Sequence, residues 1–480
     1  ALLLVGFVAA CGGTHAAQRK LSSAQVPTIR RESPAPKIVG PARLVVTVVD
    51  GDLNLRVGGA AVSLWGRSAR TDATGVAEIV VPHRRGLDVT IGAPGFAMRT
   101  VWADFLARRK VTVRVYRPEL QWPMYGATAS RAQAQTHIRL RPPFRIVWSR
   151  GLGDLIEFPA VVDNGVAYIG NARASIRAIS MRSGKVLWRH DTSHGQMASS
   201  PAVFGSRLVY HTMGGQVVVL NRATGAQEWE TSIGSPIESS PIVSRGVDYF
   251  GAWNGRMYAL DLRTHRWRWT RSLGAKITSS AAIDAGRLFI GDYGGRLWAL
   301  SPRTGATHWV RSVNGRIYGT PAVLDGRVFA PSSTGGSVTA FSTRGRYLWR
   351  INTGSYVYSS PAAWGGGVFF GSYNGVFYGV SASTGRIRWE VDAGGSISGA
   401  VVVVDGVAYA GSFRHRITGV DAGSGRVVLR FAHGNYVPVS GNGMYLLFHG
   451  YSRLYAVETK RAVTRQTAIH HKRHLRHERK

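Results

Sequence analysis

The feature that most constrains this chain is a short motif that returns about every forty residues. Ser199-Ser200-Pro201-Ala202-Val203 comes back as Ser239-Ser240-Pro241-Ile242-Val243, and the register starts again at Ser279, Gly319, Ser359 and Gly399. Tryptophan keeps the same beat at Trp148, Trp188, Trp229, Trp269, Trp309, Trp349 and Trp389, and Leu429 takes the next position. Turn dipeptides precede most of these: Ser183-Gly184, Thr224-Gly225, Thr304-Gly305, Thr384-Gly385 and Ser424-Gly425. A period of this length marks a repeat architecture, in which each unit buries its hydrophobic face only by stacking on its neighbours.

One unit predicts four short strands: Pro241 to Val243, Val247 to Gly251, Arg256 to Leu260 and Trp267 to Thr270. Four strands per repeat is the arithmetic of a β-propeller blade. Small residues suit the crowded axis, and a large Trp suits the outer strands, where blades splay apart. The beats from Trp148 to Leu429 give eight outer strands. The first, Phe144 to Trp148, has no inner strands ahead of it, and the last repeat, Val439 to Glu458, has no Trp behind it. The N-terminal strand is therefore expected to complete the C-terminal blade, giving an eight-bladed ring without exposed edges.

The spacing and the SSPAV…G…YALD…TG…W pattern resemble the pyrroloquinoline-quinone-like propeller repeat over about 320 residues. The stretch from Trp122 to Arg131, WPMYGATASR, resembles the lead-in to quinone-type propellers, although Ala127-Thr128 departs from its acidic form. That resemblance points to two groups. One is the quinone-dependent alcohol and glucose dehydrogenases; the other is non-catalytic envelope lipoproteins, such as the propeller subunit of the outer-membrane protein assembly machinery. The enzymes would imply adjacent cysteines facing the quinone, a calcium held by a carboxylate and an amide, and an Asp base. This chain has only Cys11, and its sequence singles out no carboxylate cluster in the propeller.

The remaining segments divide the chain further. Residues 1–11 read as an apolar run ending in a lipobox, Val8-Ala9-Ala10-Cys11, which makes Cys11 the expected lipidation site. A missing basic n-region and a missing Met would place the start inside such a signal. Residues 12–39 read as a flexible tether. Residues 40–117 predict short strands at Leu44 to Asp50, Ala60 to Trp65, Val76 to Val81, Leu87 to Gly92 and Lys110 to Tyr116. Their order resembles the carboxypeptidase regulatory-like module, a transthyretin-like β-sandwich, and implies a non-catalytic spacer. Residues 118–459 form the propeller, and 460–480 a basic tail with His470, His471, His474 and His477.

A net charge of +34 invites a nucleic-acid reading, but the basic residues are mostly Arg and spread along the whole chain rather than gathered in a patch. The 59 glycines, without a G-X-Y period, exclude collagen and fit short strands joined by tight turns.

Because the repeats align with one another, they separate core from variable positions. Met197, Ile237, Ile277, Ile317, Val357, Ile397 and Val437 share a register that stays apolar, as core positions do. The flanking registers vary in size and charge, and lie in the loops from an outer strand to the next inner strand. They should ring one mouth of the central channel. The candidate binding residues there are Glu238, Lys276, Arg316, Tyr318, Tyr356, Tyr358 and Tyr436, against the plainer reading of a solvated rim. The Trp beat is read as packing, with no catalytic residue, metal or cofactor. The expectation is an all-β, monomeric, lipid-anchored envelope scaffold for proteins or cell-wall polymers. A quinone-dependent oxidoreductase and a cell-wall glycan sensor are the alternatives.

Overall fold

Two-residue hairpins join the first two strands in most of the repeats. Asn164-Gly165, Arg245-Gly246, Ala285-Gly286, Asp325-Gly326, Gly365-Gly366 and Asp405-Gly406 all place both residues at positive φ. This is the conformation whose twist matches the strands on either side, and a glycine in second place adopts it without a Cβ penalty. The computed structural model describes residues 42–81, 86–103, 109–192 and 195–460. Cys11, the 12–39 tether and the tail from 461 lie outside them.

Within the described residues the chain is all-β apart from one short 3₁₀ turn, Pro118–Leu120. Residues 42–115 form two sheets. Strands Ala42–Asp50, Val76–Val81 and Lys110–Val115 make one; Ala61–Leu64, Arg67–Arg70, Leu87–Gly92 and Arg99–Ala103 make the other. The strands at 67–70 and 99–103 were not anticipated from sequence: RSAR carries no apolar alternation, and RTVWA is short. The two sheets share one core that includes Leu44, Val46, Val62, Ile79, Val89, Ile91 and Val113.

Eight four-stranded antiparallel units follow among the described residues. The first is Val161–Asp163, Val166–Gly170, Ser175–Ser180 and Val186–Asp191. The inner strands of the next six are Ala202–Phe204, Ile242–Ser244, Ala282–Asp284, Ala322–Leu324, Ala362–Trp364 and Val402–Val404. The eighth is Val439–Gly441, Leu446–His449 and Arg453–Thr459, joined on its outer edge by Phe144–Gly151. Neighbouring inner strands touch, and the first unit meets both the second and the eighth, as in a propeller.

Each unit carries a register shift between its third and fourth strands, and the beat residue lies beside it, opposite Ala, Val or Gly. Trp148, Trp188, Trp269, Trp309, Trp349 and Trp389 each donate their indole N–H to a carbonyl in the outer turn of the next unit, at 2.7–3.1 Å. Their rings lie over that turn's glycine so closely that a Cβ there would sit 2.6–2.9 Å from the ring. Trp229 differs. Its partner turn carries His265 in the glycine's place, the two rings stand 4.3 Å apart, and the Trp229 N–H has no acceptor.

Between the sandwich and the units, residues 122–135 run around the inside of the ring. The N–H groups of Val162, Val203, Ile283, Val323, Ala363 and Val403 donate to the carbonyls of Trp122, Pro123, Ala129, Ser130, Ala132 and Gln133 in turn. Ala134–Gln135 then pairs in parallel with the seventh inner strand, and Gln135 Nε2 donates to the Gln121 carbonyl, tying the collar's ends together. Arg131 is fully buried and donates to the carbonyls of Ala281, Pro241 and Tyr125. The sandwich abuts this same end. Tyr116 lies against Gly165, and Asp52 accepts from the Arg117 N–H at 2.9 Å and from Gln121 Nε2 at 3.0 Å.

Candidate functional site: the open mouth of the channel

The repeated Ser-Ser-Pro and Gly-Thr-Pro segments start the inner strands and crowd the axis. Ser240 Oγ accepts from the Ser200 N–H, Ser280 Oγ from Ser240, Thr320 Oγ1 from Ser280, and Ser360 Oγ from Thr320, all at 2.9–3.1 Å. The second Ser or Thr of the motif thus joins one unit to the next. Outside this ring, Met197, Ile237, Ile277, Ile317, Val357, Ile397 and Val437 are buried. Gly251, Gly291 and Gly371 are needed opposite them, because a Cβ there would come within 2.2–2.3 Å of an isoleucine methyl. This packing holds the loops on either side at a fixed height around the axis.

Those loops surround a cavity of about 290 Å³. Its base is Tyr125 of the collar, whose hydroxyl donates to Ser360 Oγ at 3.1 Å, with Phe158 beside it. Around the wall stand Tyr318, Tyr358, Tyr373, Phe413 and Tyr436, each ring 5.1–5.5 Å from a neighbour, edge to face, for three of the contacts, with Tyr373 and Phe413 at 5.7 Å. Two carboxyls, Glu157 and Glu238, also line it, and none of the lining residues is Lys, Arg or His.

Glu238 is nearly buried. Its Oε1 accepts from the Tyr318 hydroxyl at 2.6 Å and its Oε2 from the Trp253 indole N–H at 3.1 Å. Burial pushes its pKa above the usual carboxylate range, while these two bonds and the Lys276 charge oppose the rise. Glu157 is raised by burial and then by the charge of Glu238. Burial and the adjacent carboxylate also raise the Tyr318 phenol, which keeps it a donor.

The seven candidates from sequence separate into two groups. Glu238, Tyr318, Tyr358 and Tyr436 line the cavity. Lys276, Arg316 and Tyr356 stand outside its lining. Lys276 Nζ lies 3.1 Å from the Trp253 ring centre, and burial lowers its pKa. The Arg316 guanidinium lies 5.6 Å from the Tyr293 ring. Tyr356 is half exposed, with its ring 5.9 Å from Tyr358.

One expectation needs correcting: the propeller does bring two carboxyls together. Glu157 follows Ile156 as Glu238 follows Ile237, and the Ala172 N–H donates to the Leu155 carbonyl as the Trp253 N–H does to that of Pro236. The first unit is one residue shorter before Pro159, however, which put Glu157 off the forty-residue count. The reading also missed Trp253, Tyr293, Tyr373 and Phe413. They recur on the same forty-residue beat, in the turn between second and third strands, and that periodicity could have found them. Their N–H groups donate to the carbonyls of Pro236, Lys276, Tyr356 and Ser396, which joins the two sets of loops into one rim.

Comparison with known proteins places this site in context. A family model described as outer membrane protein assembly factor BamB matches residues 172–272 and 253–457. The protein of that name from Xanthomonas campestris pv. campestris is 26% identical over 133 residues, 24% of this chain and 32% of the relative. A quinoprotein ethanol dehydrogenase from Pseudomonas aeruginosa is 26% identical over 164 residues, 31% of this chain and 26% of that enzyme. The matched stretches thus span about a third of these relatives' length or less. Among solved structures, BamB from Moraxella catarrhalis superposes with a TM-score of 0.57 at 20% identity, covering 67% of this chain and 100% of that one.

Proposed function

This chain belongs to the family of the outer membrane protein assembly factor BamB, and from that premise we propose that it is a non-catalytic envelope scaffold which holds a partner protein against the open mouth of its propeller. In this reading the eight sheets are the blades of one closed ring. Residues 42–115 are a transthyretin-like spacer at the collared end, and Cys11 carries the lipid that ties the protein to the membrane surface. Replacing Cys11 with Ala should then move the protein from the membrane fraction to the soluble fraction.

The observation that carries the reading is the aromatic rim. Trp253, Tyr356, Tyr373, Phe413 and Tyr451 keep 37–51% of their surface in water on one face. Aromatic side chains are the groups that most often anchor protein interfaces. The rim faces away from the sandwich, so a tethered molecule presents it outward.

The names of the quinoprotein relatives imply pyrroloquinoline quinone, and the residues present fit that group poorly. The quinone is a polyanion. In this cavity it would meet Glu157 and Glu238 with no basic side chain in the lining. Among the described residues no cluster of three or more His, Cys, Asp or Glu could hold a metal beside it.

The test is capture of partners from solubilised envelopes by the wild-type protein and by a Tyr356→Ser, Tyr373→Ser, Phe413→Ser variant. The scaffold reading expects the variant to fold normally and to lose a protein that the wild type retains. Equal recovery by both, or quinone- and calcium-dependent alcohol oxidation by the wild type, would contradict it.

A further inference from the structure

We infer that the cavity at the mouth is a receptor for a single organic cation, an alkylammonium or guanidinium group, gripped by Glu157 and Glu238 within a cage of aromatic rings. The inference rests on reading the mouth as a binding surface and adds the chemistry of what enters it.

The sign of the ligand follows from the lining. The protein as a whole carries +34, yet the two charged side chains lining this cavity are both acids. The nearest basic groups stand outside the lining, although the Lys276 charge still reaches Glu238. Lys276 is pressed onto the Trp253 face and Arg316 lies over Tyr293, and neither ring lines the cavity. Arg131, behind the floor, gives its donors to backbone carbonyls. An anion would therefore meet two carboxyls and no basic side chain in the lining, whereas a cation would meet both carboxyls among aromatic rings.

Size and shape agree with this. A volume of about 290 Å³ is at the small end for ligand sites and suits one side chain or a small solute. Tyr318, Tyr358, Tyr373, Phe413 and Tyr436 surround that volume, and aromatic faces attract cations most strongly where water is excluded. Tyr318 and Trp253 fix the Glu238 carboxylate by donating to both of its oxygens. Burial and the like charge of Glu238 both disfavour the ionised Glu157, and an arriving cation would supply the counter-charge that offsets them. The raised carboxyls also link binding to pH. The groups that bear on them are each other, Tyr318, Trp253, Tyr293, Lys276 and Tyr436. Protonation of Glu157 or Glu238 removes the counter-charge, so affinity should fall as the solution is acidified.

The experiment titrates the full-length protein with methylguanidinium, butylammonium and acetate, following intrinsic Tyr and Trp fluorescence. The two cations should saturate the signal and acetate should not. Glu157→Gln should weaken cation binding about tenfold or more with a melting temperature no lower than that of the wild type. Wild-type affinity should also drop between pH 7 and pH 4, a readout that needs no variant. Acetate binding as tightly as the cations, undiminished affinity in Glu157→Gln, or a flat pH profile would each overturn the inference. A Gly-Ser peptide with one internal Arg separates the two sources of such a group. Tighter binding than methylguanidinium assigns the site to a partner's side chain, and weaker binding assigns it to a small solute; both uphold a cation site. Because the titration uses no partner protein, its failure leaves the scaffold reading standing, and failed partner capture leaves the titration standing.

Discussion

At one end of the central channel a single passing segment takes the backbone N–H groups of six inner strands and seals the axis around a buried arginine. At the other end the loops stop short and leave a cavity walled by aromatic rings and two carboxyls. The same repeat builds both ends, so the difference comes from what is added to it. The collar supplies carbonyls to strand edges that would otherwise lie unpaired near the axis, and an unpaired buried N–H is costly. At the mouth, the positions flanking the constant apolar register are free to vary. On the proposed reading the closed end serves stability and the open end recognition.

Mutations at the two ends should behave in opposite ways. Arg131→Met should have the largest effect on stability, a loss of about 3–5 kcal/mol, because several carbonyls are left buried without their donor. Urea unfolding measures it, and a change under 1 kcal/mol would mean that the collar does not hold the ring.

The next effect depends on pH. Burial raises Asp52, at the sandwich side of the sealed end, from 3.8 to about 6. The folded state thus favours the protonated carboxyl more than the unfolded chain does. Its contribution is fully present below about pH 4 and is lost as pH rises through 6, by roughly 3 kcal/mol. Asp52→Asn should abolish that slope, and parallel stability curves for variant and wild type from pH 4 to 7 would refute the assignment.

Smaller still is Tyr125→Phe at the floor. It removes one hydrogen bond to Ser360 Oγ, which still accepts from the Thr320 N–H, and should cost about 1 kcal/mol. Tyr373→Ser at the rim should change stability least, by about 0.5 kcal/mol or less, while weakening whatever binds the mouth. Calorimetry on these two variants would blur the contrast between the ends if the rim change proved the more damaging.

What the sequence made legible follows from what repeats. The four strands of the unit from 239 lie within one or two residues of their expected limits, since Gly turns and apolar alternation punctuate them. The outer-strand Trp residues pack as periodic residues should, and only Trp229 has lost its turn glycine, to His265. Glu238, Tyr318, Tyr358 and Tyr436 were reachable because they vary at fixed register. Glu157 shares that register but is displaced from the forty-residue count by a one-residue contraction before Pro159, and the collar occurs once, with nothing in the chain aligned to it. Arg131 closes the lead-in motif that begins at Trp122, but its burial comes from the threading of residues 122–135 through the ring.

The most direct test of an open, binding mouth against a sealed end is paired photo-crosslinking in the host envelope. A photoreactive amino acid replaces Tyr356 at the rim in one variant and Thr128, exposed on the collar, in another. The account predicts a discrete protein adduct from position 356 and none from position 128. An adduct from 128 alone, or the same adduct from both, would contradict it.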